Sequence, residues 1–205
     1  MLLSQNQVAK IIAVNRNRDP STFPAHVKSI IVSYYKFAQK NVPPKVRALF
    51  SEINDGTKFE AEFEDRVLSR FFPRIDYRVQ EMLVKSQTEI FGRSLATPDF
   101  LFTHSVEIFV HNKKIMNVNW IDVKDFFGHS TTYEAEKLPK QAQRNVSLFG
   151  PGIFVFSLGI ERELKEKLEK MFTVFENGRK LKLLRLMSIS GLKVRKIKCE
   201  KIDST

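Results

Sequence analysis

The sequence predicts an α/β protein in which a short helical region precedes a layered domain with a mixed sheet flanked by helices. Three observations lead to this prediction. Apolar residues repeat at spacings of three and four in the first part of the chain, short runs of branched and aromatic residues follow from Phe100, and a helix separates two of the later strand candidates. Helices that alternate with strands in this order pack as layers on a sheet. The predicted division is residues 1–54 and 55–205.

The N-terminal region, residues 1–54, contains three predicted helices. The first runs from Leu2 to Val14 and the second from Pro24 to Gln39, with a polar turn between them. The third runs from Lys45 to Ile53 and stops at the turn sequence that ends with Gly56. This arrangement is compatible with the remnant of a helix-turn-helix array.

A fourth helix is predicted to begin at Thr57. Thr57 is a suitable N-cap, and Glu60 three residues later completes a capping box. Apolar residues at four-residue steps predict one buried face, which consists of Phe59, Phe63, Val67 and Phe71. Glu62 and Arg66 lie one turn apart on the other side, and Pro73 ends the helix.

The rest of the chain alternates between strands and helices. The predicted strands are Phe100 to Phe102, Val106 to Val110, Ile115 to Lys124, Ile153 to Leu158, Lys180 to Met187 and Leu192 to Lys198. The predicted helices run from about Thr132 to Phe149 and from Glu161 to Phe172. The glycines and proline of segment 150–152 end the first of these helices.

Composition and charge limit the class of protein. With 42% hydrophobic residues, the 205-residue chain is too apolar for a disordered protein. A net charge of +11 favours a polyanionic partner such as nucleic acid, although a basic surface kept for solubility alone gives the same number. No apolar run approaches the roughly 20 residues that span a bilayer, so no membrane partner is expected.

Several other kinds of site have no support in the sequence. The single cysteine, Cys199, excludes an intramolecular disulfide and a cysteine-based zinc site, and it is compatible with a reducing compartment, nuclear or cytoplasmic. The four histidines lack paired metal-ligand spacing. Neither a glycine-rich phosphate loop nor a G-x-S-x-G motif is present.

The segment Trp120 to Lys124 carries the residues that suggest chemistry. Residues two apart on a strand share a face, so Asp122 and Lys124 project together. Asp99 stands just before another strand that is able to pair nearby. Two converging carboxylates repel each other and therefore imply a divalent cation such as Mg²⁺ between them. The alternative is a D-x-K on a solvated strand edge, which is common.

The chain contains three further motifs: Thr97-Pro98-Asp99-Phe100, the sequence NWIDVKDFFG over residues 119–128, and Phe149-Gly150-Pro151-Gly152 before an aromatic strand. These motifs resemble the TPD-motif family within the PD-(D/E)xK nuclease superfamily. The resemblance covers roughly residues 15 to 165, and it implies a restriction-endonuclease-like core. It also leaves open whether the chain is a short form of a longer protein.

The resemblance implies roles for individual residues. Asp99 and Asp122 would bind Mg²⁺ or Mn²⁺, although the family often has Glu at the second position, and Lys124 would serve the attacking water. Glu62 would be the helix carboxylate that completes the site. Glu60 is the competing choice, because the family pattern carries both glutamates. Gln141 would face the site from the following helix, and its alternative is a solvated position.

The function that the resemblance implies is metal-dependent hydrolysis of phosphodiester bonds in DNA or RNA. The alternative is a non-catalytic binding module with a nuclease fold, acting with a codanin-like chromatin partner, because the family includes the nuclease that partners codanin. In the basic tail, Lys180, Lys182 and Arg195 are predicted to lie along one face and contact a phosphate backbone. A sheet edge protected by lysines explains them equally well.

Overall fold

The computed structural model describes residues 2–3, 7, 10–11, 14, 23–24, 27–28, 30–31, 56–128, 133–176, 179–188 and 192–196. The described strands are β1 (Leu2–Leu3), β2 (Tyr77–Val79), β3 (Phe100–Val110), β4 (Lys113–Lys124), β5 (Gly152–Phe156), β6 (Ile160–Glu161), β7 (Thr173–Glu176), β8 (Arg179–Lys182), β9 (Leu184–Ser188) and β10 (Leu192–Lys196). The described α-helices are α1 (Gly56–Phe63), α2 (Gln80–Phe91), α3 (Tyr133–Phe149) and α4 (Arg162–Met171).

The main sheet is mixed and has the strand order β10-β3-β4-β5-β9, with β2 paired to the beginning of β3. The pairs of β3 with β10 and with β4 are antiparallel, whereas β5 runs parallel to both β4 and β9. The predicted α/β class with a mixed sheet is confirmed. The parallel pair β4 and β5 follows from α3, which returns the chain to the same end of the sheet.

Helices cover both faces of this sheet. One apolar core lies under α1 and its continuation, a π-helical segment over Glu64–Leu68, and includes Phe63, Ile121 and Val123. The other core lies under α3 and α4, where Leu138 of α3 packs with the side chains of the opposite sheet face. The central strand β5 is buried along its whole length, as predicted, because helices cover both of its faces.

The buried face of the fourth predicted helix differs from the prediction at its C-terminal end. Phe63 is buried as expected, but Phe71 is 52% exposed and Phe72 takes its place in the core at 3% exposure. The π-helical segment explains this difference, since the backbone N–H of Ser69 bonds to the carbonyl of Glu64 five residues earlier. The wider turn shifts the buried positions by one residue.

Other element boundaries also differ from the prediction. Strands 100–102 and 106–110 are one strand, β3, whose pairing with β4 is interrupted between Leu101 and Val106. Tail segment 180–187 is divided at Leu183 between β8 and β9, which belong to separate sheets. The sequence does not predict β2, β7 or α2.

The N-terminal region is described only in part. Leu2 and Leu3 form a strand that pairs with β6, so the prediction that the first helix begins at Leu2 is wrong. Positions 7, 10, 11 and 14 of that predicted helix are helical. Ile30 packs against Phe127 of the α/β part. The predicted helix from Lys45 to Ile53 lies outside the described residues. Among the described helices, none is both long and apolar enough to cross a membrane.

Candidate active site

Asp122 lies on β4 of the main sheet, and Asp99 lies just before the neighbouring strand β3. Asp99 directly precedes β3, and Phe100 at the start of β3 lies opposite Ile121 of β4. Asp99 is 6% exposed and Asp122 is fully buried. The Oδ2 atom of Asp99 accepts a hydrogen bond from the backbone N–H of Val123 at 2.7 Å. The two carboxylates therefore lie together near the C-terminal end of β4.

Lys124 and Gln141 donate hydrogen bonds to the carboxylate of Asp122. Because Ile121 and Val123 point into the core under α1, Asp122 and Lys124 share the opposite face of β4, as the alternation predicted. The ammonium of Lys124 donates to Oδ1 of Asp122. Nε2 of Gln141 donates to Oδ2 at 2.6 Å. The structure thus brings both predicted partners to Asp122.

The electrostatics of this cluster reflect crowding of negative charge. Burial raises the pKa of Asp99 well above its usual range, and the charge of Asp122 raises it further. Burial lowers the pKa of Lys124, but the neighbouring carboxylates outweigh that effect and hold the pKa above its ordinary value. One lysine therefore stands among three acids, and Glu60 is the third of them.

Glu60 rather than Glu62 is the helix carboxylate in electrostatic contact with the cluster. Burial raises the pKa of Glu60, and Asp122 adds to the effect while Lys124 opposes it. The Oε2 atom of Glu62 lies 3.9 Å from Nη1 of Arg66, and its side chain is 44% exposed. Positions 60 and 62 point about 200° apart on a helix, so only one of them faces the sheet end. The structure favours Glu60 over the predicted Glu62.

The donor atoms of the cluster are carboxylate oxygens, which suit Mg²⁺ or Mn²⁺. Within the described ranges, no three His, Cys, Asp or Glu side chains form a ready metal-binding group. Magnesium needs fewer protein ligands than that, because it keeps several waters and binds one or two carboxylates together with substrate phosphate. Asp99 and Asp122 fit this requirement, and Glu60 is the nearest additional acid.

Helix α2 holds the segment that carries Asp99. The Oε1 atom of Gln87 accepts hydrogen bonds from the backbone N–H groups of Leu95 at 2.7 Å and Ala96 at 3.1 Å. Its Nε2 donates to the carbonyl of Ala96 at 2.6 Å. The amide therefore pairs with Ala96 as a neighbouring strand would. No local pattern marks a helical glutamine as buried, so the sequence does not predict this contact.

The segment after α3 is fixed to β4 by two side-chain hydrogen bonds. Nδ2 of Asn119 donates to the carbonyl of Phe149 at 2.6 Å, and Nε1 of Trp120 donates to the carbonyl of Gly150 at 2.9 Å. A Cβ atom at Gly152 would lie 1.9 Å from the Trp120 ring. The lone tryptophan is thus a core residue that ties the end of α3 to the sheet.

Asn145 lies one turn after Gln141 on α3. It is 1% exposed, and its Nδ2 atom has no hydrogen-bond partner among the described residues. Asn145 is therefore a buried residue of α3 and not part of its solvent-exposed face.

The predicted nucleic-acid contacts of the tail belong to different sheets. Nζ of Lys182 in β8 lies 2.8 Å from Oε2 of Glu169. The guanidinium of Arg195 in β10 lies 4.7 Å from the centroid of the Phe109 ring. Strand β8 pairs with β7, whereas β10 forms an edge of the main sheet. The side chain of Lys180 lies outside the described part of the chain.

Comparison with known proteins gives one match. A family model described as "Protein of unknown function TPD sequence-motif" matches residues 39–177, which is more than half of the 205-residue chain. No curated protein and no solved structure matches.

Proposed function

The chain belongs to the TPD sequence-motif family, and because its Thr97-Pro98-Asp99 segment lies against Asp122 and Lys124, we propose that it is a magnesium-dependent nuclease that hydrolyses phosphodiester bonds in DNA or RNA. We also propose that its α/β core is restriction-endonuclease-like. In support, an acid before β3, a D-x-K at the end of β4, a helix carboxylate and a helix glutamine converge on one end of the sheet.

One observation carries this proposal: two almost fully buried carboxylates from separate segments of the chain share a single lysine. Asp99 is held at the backbone of Val123, next to Asp122, and the pKa of Asp99 is raised as a result of burial and of that neighbour. Burying like charges together costs stability unless a cation offsets their repulsion. A protein that serves only as a scaffold has no physical need for such a pair.

The residues divide the work as follows. Asp99 and Asp122 would hold the cation, and Glu60 would bind one of its waters or complete its ligands. Bound there, Mg²⁺ would polarise the phosphoryl group and favour in-line attack by water. Lys124, fixed by Asp122, would orient that water and stabilise the charge that develops on the phosphate. Gln141 keeps the Asp122 carboxylate in place from the side of α3.

The decisive experiment is cleavage of labelled single-stranded, duplex and branched DNA and RNA with Mg²⁺, Mn²⁺ or EDTA. We expect cleavage with metal, none with EDTA, and a loss of at least 100-fold in Asp122→Asn, which keeps the size of the buried side chain. Circular dichroism and binding of uncleaved substrate verify that the variant is folded. Equal cleavage by the wild type and Asp122→Asn would refute the catalytic role.

Two glutamates on α1 provide a matched pair of variants. Glu60→Gln removes a charge that acts on Asp122 and Lys124, so we expect a marked loss of cleavage. Glu62→Gln removes a half-exposed charge paired with Arg66, so cleavage should stay within about twofold of the wild type. The reverse result would restore Glu62 as the residue of the site.

A binding module without catalysis is the second candidate, and exposed apolar side chains on and near α2 favour it. Helix α2 leaves Met82, Ile90 and Phe91 more than half exposed, and Ile75 just before it is 82% exposed. Large apolar side chains that stay exposed are a common feature of protein interfaces. A codanin-like protein is the partner that the sequence resemblance suggests. Absence of cleavage under all metal conditions would favour this function over hydrolysis.

A further inference from the structure

Three cationic residues form a row on the solvent side of α3. Lys137, Lys140 and Arg144 are exposed. At about 100° per residue they lie within roughly 60° of arc, so they form one ridge rather than a scattered charge. We name these three residues the basic ridge. The opposite side of the helix carries Leu138 and Ala142, which are buried against the sheet.

Gln141 connects the basic ridge to the candidate active site. It lies at the border between the buried side of α3 and the ridge, next to Lys140 and one turn from Lys137. Its Nε2 atom reaches Oδ2 of Asp122 at 2.6 Å. The ridge therefore lies directly beside the candidate active site, and the hydrogen bond between Gln141 and Asp122 fixes the position of α3 relative to Asp122.

Two cations of the ridge are available to a partner. Among the described residues, no carboxylate forms an ion pair with Lys140 or Arg144. By contrast, Lys165 of α4 and Lys182 of β8 surround the buried carboxylate of Glu169. Lys140 and Arg144 thus carry positive charge that no described carboxylate neutralises through an ion pair.

We infer that the basic ridge binds the phosphate backbone of the nucleic-acid strand beside the bond that is cut. The inference rests on the proposed function because it places the strand beside the bond that is cut. Binding of the strand to the ridge is measured without metal and so does not depend on cleavage. From Lys137 to Arg144 the helix rises about 10 Å, a length over which consecutive phosphates of one strand meet cations in turn. Contacts of this kind position a strand without reading its sequence.

Charge complementarity selects this occupant. A phosphodiester strand carries one negative charge per nucleotide, and each lysine or arginine that neutralises a phosphate releases condensed counterions. The side chains of α3 that the structure describes, from Lys137 to Phe149, include no carboxylate. The alternative is a solvated helix face that contributes only to the net charge of +11. In that case the affinity for nucleic acid depends on the number of cations and not on where they lie.

The test compares two double charge reversals of equal size. The ridge variant is Lys140→Glu with Arg144→Glu. The control is Lys113→Glu with Lys193→Glu, whose exposed side chains lie at the hairpin end of the sheet. Lys113 and Lys124 are the two ends of β4, so the control lies roughly 35 Å from the site at 3.3 Å per residue. Both variants change the net charge by the same amount.

The measurement is fluorescence anisotropy with 20-nucleotide single-stranded and duplex probes in EDTA at several salt concentrations. We expect the ridge variant to lose at least tenfold in affinity, and its dependence of log K on log salt to become shallower by about 1.4–1.8, corresponding to two phosphate contacts. The control should change both quantities by much less. Thermal unfolding of both variants verifies that they are folded.

Other outcomes overturn the inference. Equal losses in the two variants would show that only the net charge matters, and unchanged binding in the ridge variant would show that the strand lies elsewhere. Absence of wild-type binding to either probe would also refute it. Failure of the proposed function appears separately, as wild-type binding in EDTA without cleavage after Mg²⁺ is added.

Discussion

At the scale of single residues, the carboxyl group of Asp99 accepts a stabilising hydrogen bond but lies in an environment that is unfavourable for its ionised form. Its Oδ2 atom accepts the Val123 N–H, yet burial and the charge of Asp122 raise its pKa well above the usual range. Such a group holds its proton more tightly in the folded state than in the unfolded chain. Ionising it therefore opposes folding, which is a cost typical of functional sites.

This environment predicts how Asp99→Asn changes stability with pH. Because the folded pKa is raised, the wild type loses stability as pH rises from the unfolded value of about 3.9 through the folded value. Asparagine carries no charge and still accepts the Val123 N–H through its Oδ1 atom. We expect the variant to be more stable than the wild type at pH 7 in EDTA, on the order of 1 kcal/mol. The two proteins should converge near pH 4.

Urea unfolding at pH 4 and pH 7 measures this difference. Asp65→Asn, at an exposed position of the π-helical segment, serves as the control for the removal of one exposed carboxylate. If Asp99→Asn is less stable than the wild type at pH 7, burial and the charge of Asp122 do not make the ionised form of Asp99 unfavourable.

At the scale of elements, α2 acts on the site without contributing a residue to it. Its buried side chains are Leu83 and Gln87, and the second fixes the backbone of Leu95 and Ala96. Asp99 follows three residues later. An amide that serves as both donor and acceptor makes the segment behave like a paired strand, although residues 93–98 contain no helix or strand.

The contact predicts that Gln87→Met weakens metal binding at Asp99. Methionine keeps the length but leaves three backbone groups without their partner, at about 1–3 kcal/mol for each group that stays buried. Leu83→Ala is the control, because it removes a buried apolar side chain of the same helix at a cost of about 2–5 kcal/mol but leaves the hydrogen bonds between Gln87 and segment 95–96 intact.

Two measurements separate positioning from plain destabilisation. Hydrogen exchange of the Val123 amide reports its bond to Asp99, and Mn²⁺ titration reports the affinity of the site. We expect faster exchange and at least tenfold weaker Mn²⁺ binding for Gln87→Met, with both properties retained in Leu83→Ala below its melting temperature. If both variants lose the two properties in proportion to stability, Gln87 has only a structural role.

At the scale of the whole molecule, one end of the main sheet collects groups from distant parts of the sequence. Glu60 comes from α1, Asp99 from the segment just before β3, Asp122 and Lys124 from the end of β4, and Gln141 from α3. The N-terminal part also reaches the α/β part, since β1 pairs with β6. The site therefore depends on the complete assembly of the layers.

This arrangement predicts that a divalent metal stabilises the folded chain. A ligand that binds only the folded state contributes about 2.7 kcal/mol at 100 times its Kd. For a chain of this length, that corresponds to a Tm higher by roughly 5–10 °C. Scanning calorimetry with Mg²⁺ or Mn²⁺, and again after EDTA, measures the effect. Asp122→Asn should abolish it, and an equal shift in that variant would assign the metal to another place.

The sequence by itself determined the local features of this protein. Alternation along Trp120 to Lys124 correctly placed Asp122 and Lys124 on one face of a strand, because side chains on a strand alternate with a fixed period of two. The glycines and proline of segment 150–152 correctly marked the end of α3 and the start of the buried strand β5. The α/β class followed from the order of these elements.

Only the tertiary structure decided between residues that the local pattern treats alike. The sequence offered Glu60 and Glu62, and the rotation of α1 against the sheet turned Glu60 to the site and left Glu62 with Arg66. A single π-helical turn exchanged Phe71 for Phe72 in the core. Periodicity determines which residues share a face of a helix or strand. The packing of one element on another determines whether that face points towards the core, the site or the solvent.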